Sequence, residues 1–251
     1  WYPRKLKKLP LAAWTDRAIV ERKFQETHKY PDAYLMVPLT MLRKGDGRTP
    51  RQHRGISVFV ANYRLSTGAW WHRIIPELIK WVHPDAYGGL PGRECLEAAW
   101  EAQLDMEDSY MFDTDNTEID TDYEKFYDTF DPIFFRELLI EVGIPKDLAY
   151  LTYYMYANIK RRFRIGSHLG QPFLSNRGAG QGDTTSTIGA LIITSIQFRY
   201  IDYVHPSVKK ASIIDDRNFR GPRDDVISAV RKALEFDKLA GLTNNLPMFV
   251  A

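Results

Sequence analysis

Residues 212–219 read SIIDDRNF, two adjacent carboxylates directly after a β-branched apolar run. Successive side chains on a strand point to opposite faces, so a strand through this segment turns one of Asp215 and Asp216 toward the buried side. A buried carboxylate without a partner is costly or takes up a proton. Any fold of this chain must therefore bring a counter-charge or a cation to this strand. An isolated Asp-Asp is more often a solvated turn, so its neighbours decide.

The matching feature is TDYEKFYD at 121–128. Asp122 closes a short strand-like stretch, Asp128 follows six residues later, and the residues between suit a strand turning into a helix. A strand-end Asp together with a second strand carrying Asp-Asp is what a two-metal phosphoryl-transfer site needs. Three carboxylates within about 5 Å repel by roughly 3 kcal/mol per pair at an effective dielectric near 20. Divalent cations turn that repulsion into coordination, and Mg²⁺ favours a few carboxylates plus substrate phosphates and water.

The charge map fits a polyanion partner without proving one. Lys and Arg number 34 against 32 Asp and Glu, a net +2 that announces no nucleic-acid binder. Basic residues nevertheless crowd residues 1–64, with RKLKK at 4–8 and LRKGDGRTPRQHR at 42–54, while 97–131 is dense in Asp and Glu. A basic face beside an acidic centre suits a groove wrapped around a metal site; two solvated loops of opposite sign give the same map. The single Cys95 excludes an intrachain disulfide and any cysteine-based zinc site. The six His show no metal-binding spacing and read as surface or satisfied core residues. No apolar run is long enough for a membrane span, and no signal-peptide pattern opens the chain. An intracellular, reducing location, nuclear or cytoplasmic, is expected.

Periodicity predicts helices over about 1–30, 63–82, 95–104, 132–142, 146–160 and 185–204, with an amphipathic helix ended by Gly241. It predicts strands at 33–39 (broken by Pro38) and 55–62, a hairpin over 161–183 with turns at Gly166 and Gly170, and a strand–turn–strand over 209–221. DMEDSYMFDTDN reads as an acidic loop. The expected class is α+β, an antiparallel sheet packed on helices.

Six stretches, in order, resemble reverse transcriptases of the non-LTR retrotransposon and group II intron lineage. TDYEKFYDTFD is similar to motif A, NRGAGQGDTTS to motif B, and IIDD to motif C. HRGISVFVANYRL and HPDAYGGLPGRECLEA resemble the family's fingers and GRS stretches, and GLTNNLPM resembles motif D. The resemblance runs from about residue 33 to the C-terminus. It implies a right-hand polymerase, with fingers over 1–112 (including an N-terminal helical extension) and palm over 113–251. The thumb is expected to be absent or truncated.

The resemblance implies roles residue by residue. Asp122, Asp215 and Asp216 become the catalytic and metal-binding carboxylates for two Mg²⁺ ions, with Mn²⁺ an alternative. Tyr127 takes the position that excludes ribonucleotides, or else is a core tyrosine. Gln181 and Gly182 match the segment cradling the incoming nucleotide. Arg54 matches the fingers arginine over the triphosphate, where a planar fork suits phosphate oxygens. Lys44 is its partner, with Arg43 or Arg48 as alternatives. Arg93 and Arg177 are nucleic-acid contacts by the same reasoning, Arg93 being equally readable as a structural turn arginine. Asp120 shares a strand face with Asp122, as an auxiliary ligand or a solvated residue.

Three positions depart from the pattern. Ile213 stands where an aromatic is usual, Phe126 replaces a small Ala, and Met248 stands at the lysine of motif D, the group expected to protonate pyrophosphate. The implied activity is RNA-directed DNA synthesis from a primer 3′-OH. RNA template, primer and deoxynucleoside triphosphates are the implied partners, with further domains of a larger polyprotein. A viral RNA-dependent RNA polymerase shares the palm, but QGD and Tyr127 argue against it. A catalytically inactive, domesticated palm acting as an RNA-binding scaffold is the non-enzymatic alternative, favoured by Met248.

Overall fold

The computed structural model describes residues 8–46, 49, 52–245 and, for the backbone alone, 248–250. The basic residues at 4–7 and Arg48 lie outside the described residues, as does the side chain of Met248. In chain order the elements are α1 (Leu11–Thr27), α2 (Asp32–Leu35), β1 (Met36–Arg43), β2 (His53–Ser57), α3 (Ala61–Trp81) and β3 (Ala86–Tyr87). Next come α4 (Cys95–Phe112), β4 (Thr117–Thr121), α5 (Phe126–Thr129), α6 (Pro132–Glu141), α7 (Lys146–Asn158), β5 (Lys160–Ile165), β6 (His168–Leu169) and β7 (Phe173–Leu174). Last are α8 (Thr184–Val204), β8 (Lys209–Ile213), β9 (Asp216–Gly221), α9 (Arg223–Leu239) and β10 (Met248–Val250). The class is α+β, with two mixed sheets packed on helices.

The chain forms two compact units, residues 1–73 with 130–186 and residues 74–129 with 187–251. The first holds the sheet β2-β1-β5-β6, with β7 also on β5. β1 lies antiparallel to β2 and parallel to β5. Pro38 does not break β1, contrary to the sequence expectation. Its missing N–H falls one residue beyond the last β1–β2 pair, Leu39 with Ser57, while its carbonyl accepts from Val58 N. Only the end of the ladder loses a donor, which limits the penalty proline imposes in sheets.

The second unit holds the sheet β10-β4-β9-β8-β3, antiparallel except for the short β3–β8 pair. On one face, Ile119 and Phe219 pack against Phe198 and Ile201 of α8 and Val226, Ala229, Val230 and Ala233 of α9. Those α9 positions recur at three- and four-residue steps, the apolar stripe of an amphipathic helix. Asp237, also buried, falls four residues on, at the end of the same stripe. On the opposite face Ala98 of α4 packs with Ala211 of β8, Tyr87 and Ile213. Helix α4 runs eight residues beyond the expected stop, so most of the predicted acidic loop is helical. A capping box between Glu94 and Glu97 starts it, and Asp113 in the left-handed region ends it. Its Asp105 pairs with Lys209 and, at 3.0 Å, with Arg220, which offsets the acidic run from inside.

Among the described residues no helix is long and apolar enough to cross a membrane. In the first unit, Gly180 is required by close approach. A Cβ there would stand 2.3 Å from Phe59 Cζ, whereas one on Gly68, inside α3, meets nothing within 4 Å. Thus Gly68→Ala should raise stability by about 0.8–1.0 kcal/mol and Gly180→Ala should lower it by about 1–3 kcal/mol. Thermal denaturation of the two variants checks both signs.

Candidate active site

The Asp-Asp pair does not lie along one strand. β8 ends at Ile213 and β9 begins at Asp216, paired directly with it, so Ile214 and Asp215 form a two-residue turn. Asp215 is half-buried and Asp216 exposed; the residue turned inward is Arg217. The expectation that one carboxylate is forced into the core is thus corrected, because Asp215 falls in the turn and Asp216 opens β9 on its exposed side. Ile214 adopts φ +62°, a conformation that is an outlier for a β-branched residue. Positive φ at the first loop position matches the turns that normally carry glycine there. The turn is held from beside it, where Ile214 N–H donates to the Tyr87 carbonyl (3.2 Å). Gly88 gives it room, since a Cβ at that position would approach Ile214 Cγ1 to 3.1 Å.

Asp122 follows the last residue of β4. Asn245 holds it twice, by N–H to the Asp122 carbonyl (2.9 Å) and by Nδ2 to Oδ2 (2.8 Å). The GLTNN stretch thereby runs beside motif A, with Tyr123 bridged to Asn244 and Glu124 N–H donating to the Thr243 carbonyl. Asp122 and Asp216 both line a cavity of about 580 Å³, walled by Ala98, Ala99 and Ala102 of α4 and by Asp120, Asn218 and Asn245. Asp120 is half-buried at the cavity wall, and Asn218 Nδ2 donates to its Oδ1 at 2.8 Å. Burial and then the Asp215 charge push the Tyr127 hydroxyl up to about 12, while a hydrogen bond with Thr187 works the other way.

Behind the carboxylates lies a buried polar cluster. Arg217 is fully buried, Nη1 lies 3.1 Å from Asp237 Oδ1, and its guanidinium stands 4.5 Å from the Tyr123 ring centroid. Asp237 also accepts from Gln197 (2.8 Å), Tyr123 hydroxyl (2.8 Å) and Asn244 (3.0 Å). Burial pushes the Asp237 carboxyl up and Arg217 draws it back down. Arg217, Asp237 and Asn245 escaped the motif reading. The signals were an Arg one position after the carboxylate pair in a strand, an Asp on the apolar stripe of α9, and the quoted GLTNN itself.

Ile213 and Phe126 have packing partners, whereas nothing in the structure explains Met248. Ile213 packs on the small Ala98 of α4 beside Tyr87. Phe126 is buried between Tyr123 and Tyr127, with ring centroids 4.9 and 5.5 Å away. The backbone of Met248 pairs with Asp120.

In the first unit the QGD segment packs against β2. Gln181 carbonyl accepts from Ser57 N–H (2.8 Å), and Gly182 has φ +106° with Ser57 O 3.1 Å from where a Cβ would sit. Asp183 is buried, and one of its oxygens, Oδ2, accepts from both Tyr63 and Tyr156 hydroxyls at 2.7 Å. Arg54 is exposed on β2. By register it shares a face with Lys160, Arg162 and Arg164 of β5, and no strand of this sheet contains an Asp or Glu. Lys44 and Arg177 are exposed, Lys44 just past the end of β1 and Arg177 before the glycine run. Arg93, in the second unit, directs its guanidinium to backbone carbonyls at the end of α3, including Ile79 (3.3 Å) and Val82 (3.4 Å) as well as His83. That is the structural role of a helix-capping arginine.

No protein-family model matches the chain, and no curated protein does. Solved structures do. Telomerase from Candida tropicalis in complex with a TWJ fragment of telomeric RNA superposes with TM-score 0.60 at 13% identity, over 86% of this chain and 41% of that one. The apo enzyme truncated from its C-terminal domain gives 0.59 at 12% identity, over 88% and 51%. The chain has a reverse-transcriptase-like fold. It spans about half the length of those telomerase chains or less. Among the described residues no group of three or more His, Cys, Asp or Glu side chains is placed to hold a metal ion.

Two predictions follow from this geometry. At Ile214 the usual preference reverses, and Ile214→Gly should be more stable than Ile214→Ala by about 1–2 kcal/mol in chemical denaturation, because only alanine keeps the left-handed penalty. Burial raises the Asp183 carboxyl above its ordinary 3.8 despite the two tyrosine hydroxyls. The folded chain therefore holds this proton more tightly than the unfolded chain. The stability gained is full below the ordinary value and is lost as pH rises through the raised one. Asp183→Asn lacks this loss, so its melting temperature should gain on wild type as pH rises from about 4 to 7.

Proposed function

We propose that the chain is the fingers and palm of an RNA-directed DNA polymerase of the non-LTR retrotransposon and group II intron type, extending a primer 3′-OH with deoxynucleoside triphosphates. The observation that carries this reading is that Asp122 and Asp216, from two separate motifs, line one cavity on a reverse-transcriptase-like sheet. In this reading residues 1–112 take the fingers role and 113–251 the palm role. Hard carboxylate oxygens suit Mg²⁺ or Mn²⁺, and Mg²⁺ sites on phosphate substrates need only one or two carboxylates. Asp122, Asp215 and Asp216 would hold such ions, Asp122 and Asp216 from the cavity wall and Asp215 from the turn between β8 and β9. Bound there, the ions would lower the pKa of the primer hydroxyl and neutralise the phosphates.

The chain's own residues supply the rest. Asn245 orients Asp122, and Tyr127, fixed by Thr187, stands as the gate that excludes ribonucleotides. Gln181 and Gly182 form a close backbone wall for the nucleotide, since any Cβ at Gly182 would crowd β2. Arg54 and Lys44 take triphosphate oxygens. Arg162 and Arg164 extend the same cationic face along β5, where residues two apart stand about 6.6 Å from each other. Arg177 contacts the nucleic acid, whereas the carbonyls that engage Arg93 favour its structural role.

The competing reading is a catalytically inactive scaffold that binds RNA, favoured by the lack, among the described residues, of a ready three-ligand metal group. Primer extension on an RNA template with Mg²⁺ or Mn²⁺ separates the two. Extension with deoxynucleotides should appear, and Asp215→Asn should reduce it at least about 100-fold, beyond the 10–100-fold typical of an outer-shell partner. Tyr127→Ala should admit ribonucleotides. No extension with either ion, alongside intact RNA binding, leaves the scaffold. In both cases Arg162→Ala combined with Arg164→Ala should weaken single-stranded RNA binding whatever the sequence. The salt slope of log K should flatten by about 1.4, for two phosphate contacts.

A further inference from the structure

We propose that Asp237 is a positioning residue, setting where Asp122 and Asp216 stand without touching substrate. The inference rests on the reading of those two carboxylates as cation ligands. Each of them is followed in sequence by a residue that the strand alternation turns inward, Tyr123 after Asp122 and Arg217 after Asp216. These two inward residues meet, guanidinium against ring at 4.5 Å, and both end on the same carboxylate of α9.

Asp237 accepts at both oxygens. Oδ1 takes Arg217 Nη1 (3.1 Å) and Gln197 Nε2 (2.8 Å); Oδ2 takes the Tyr123 hydroxyl (2.8 Å) and Asn244 Nδ2 (3.0 Å). Four donors fill the capacity of a carboxylate. Three of the four sit next in sequence to a group of the candidate site: Tyr123 to Asp122, Arg217 to Asp216, and Asn244 to Asn245, which holds Asp122 Oδ2. Three separate segments are thus referred to one side chain.

Holding the sheet on the helix does not require this. Well-packed apolar residues of similar volume often serve a buried ion pair's place without loss of stability. What the pair adds over apolar packing is direction. Each hydrogen bond fixes an angle and a register, and those of β4, β9 and the GLTNN segment set the spacing of the outward carboxylates.

The test uses Mn²⁺ binding, read by electron paramagnetic resonance of the free ion, beside thermal melts. Primer-extension kinetics resolve kcat from the nucleotide KM. Asp237→Asn keeps the shape but places an amide donor among donors. Its Mn²⁺ affinity should fall by about 10–100-fold, the size seen when groups orienting metal ligands are removed, with kcat falling and KM little changed. Because that variant leaves the buried Arg217 charge without its anion, a double variant, Arg217→Met with Asp237→Leu, removes both charges together. It should fold, melting below wild type because the Tyr123 hydroxyl and the Asn244 amide lose their acceptor, and should remain weak for Mn²⁺. Tyr123→Phe, which keeps the ring, should show a smaller loss in the same direction. A folded double variant with wild-type Mn²⁺ affinity overturns the proposal, as does an unaffected Tyr123→Phe if the double variant does not fold. Wild-type protein that binds no Mn²⁺, or binds it equally after Asp122→Asn, overturns the reading of the carboxylates and the proposal with it.

Discussion

The second unit is organised around a cation that strand geometry turns inward. Arg217 lies one residue after Asp216 in an antiparallel strand, so facing Asp216 outward compels the guanidinium into the core. There it needs an anion and other acceptors, because an unpaired buried charge is among the most destabilising groups a core can hold. Asp237 supplies the anion from the apolar stripe of α9, Gln197 and Thr194 supply further oxygens, and the Tyr123 ring covers the guanidinium face. Burial pulls the guanidinium down to about 10, against the counter-pull of Asp237. The outward pattern of the sheet follows from this inward one. Once Arg217 and Tyr123 are fixed, β9 and β4 have no register left to choose, and a slip of one residue would bring Asp216 inside and Arg217 out.

The first unit buries a carboxylate by a different route. Asp183 has no cation nearby among its hydrogen-bond partners; two tyrosine hydroxyls converge on one oxygen, and Thr185 N–H lies 3.4 Å from the other at the start of α8. Burial outweighs these neutral donors and displaces the proton affinity upward, as it does for Asp237 beside its cation. The arrangement is nonetheless local and rigid. Trp71 Nε1 donates to the Thr185 hydroxyl, and the Ser186 hydroxyl donates to the Asp183 and Gly180 carbonyls. The glycine loop before α8 is therefore held from below by residues that cannot rearrange without exposing Asp183, and Gly180 and Gly182 let it lie against Phe59 and β2.

Much of this was legible from pattern. Helices α3, α6, α7, α8 and α9 announce themselves by apolar spacing and by Gly143, Pro145 and Gly241 at their ends. The strand–turn–strand around the carboxylates was equally plain. Where structure departs from pattern, tertiary context decides against residue type. The acidic run after Leu104 reads as loop by charge, but Asp105 faces Lys209 and Arg220 and the rest of the run faces solvent, so α4 continues to Phe112. Pro38 reads as a break, yet the side of β1 it disables lies at the end of the ladder. Asp237 and Asn244 carry no motif of their own. Only the partner brought from another segment reveals what an Asp on an apolar stripe is for.

The turn at Ile214 and Asp215 shows the same interplay at the site itself. A two-residue connection with positive φ at its first position is ordinarily glycine, and isoleucine there carries a backbone penalty of about 1–2 kcal/mol. Such a conformation persists only where the surroundings over-determine it. Here β9 is paired along its length with β8 and β4, β3 adds a parallel neighbour ending at Ile213, and the Tyr87 carbonyl receives the Ile214 N–H. The strained tip leaves the carboxylates on different bearings. Asp216 opens β9 and lines the cavity, and Asp215 sits in the turn, where its charge acts on the Tyr127 hydroxyl. A glycine at 214 would hold the turn with less strain, but it would remove the side chain that seats against Gly88. The isoleucine therefore ties the turn to the loop of the GGLPGRE stretch, and the position of Asp215 depends on that loop as much as on its own strands.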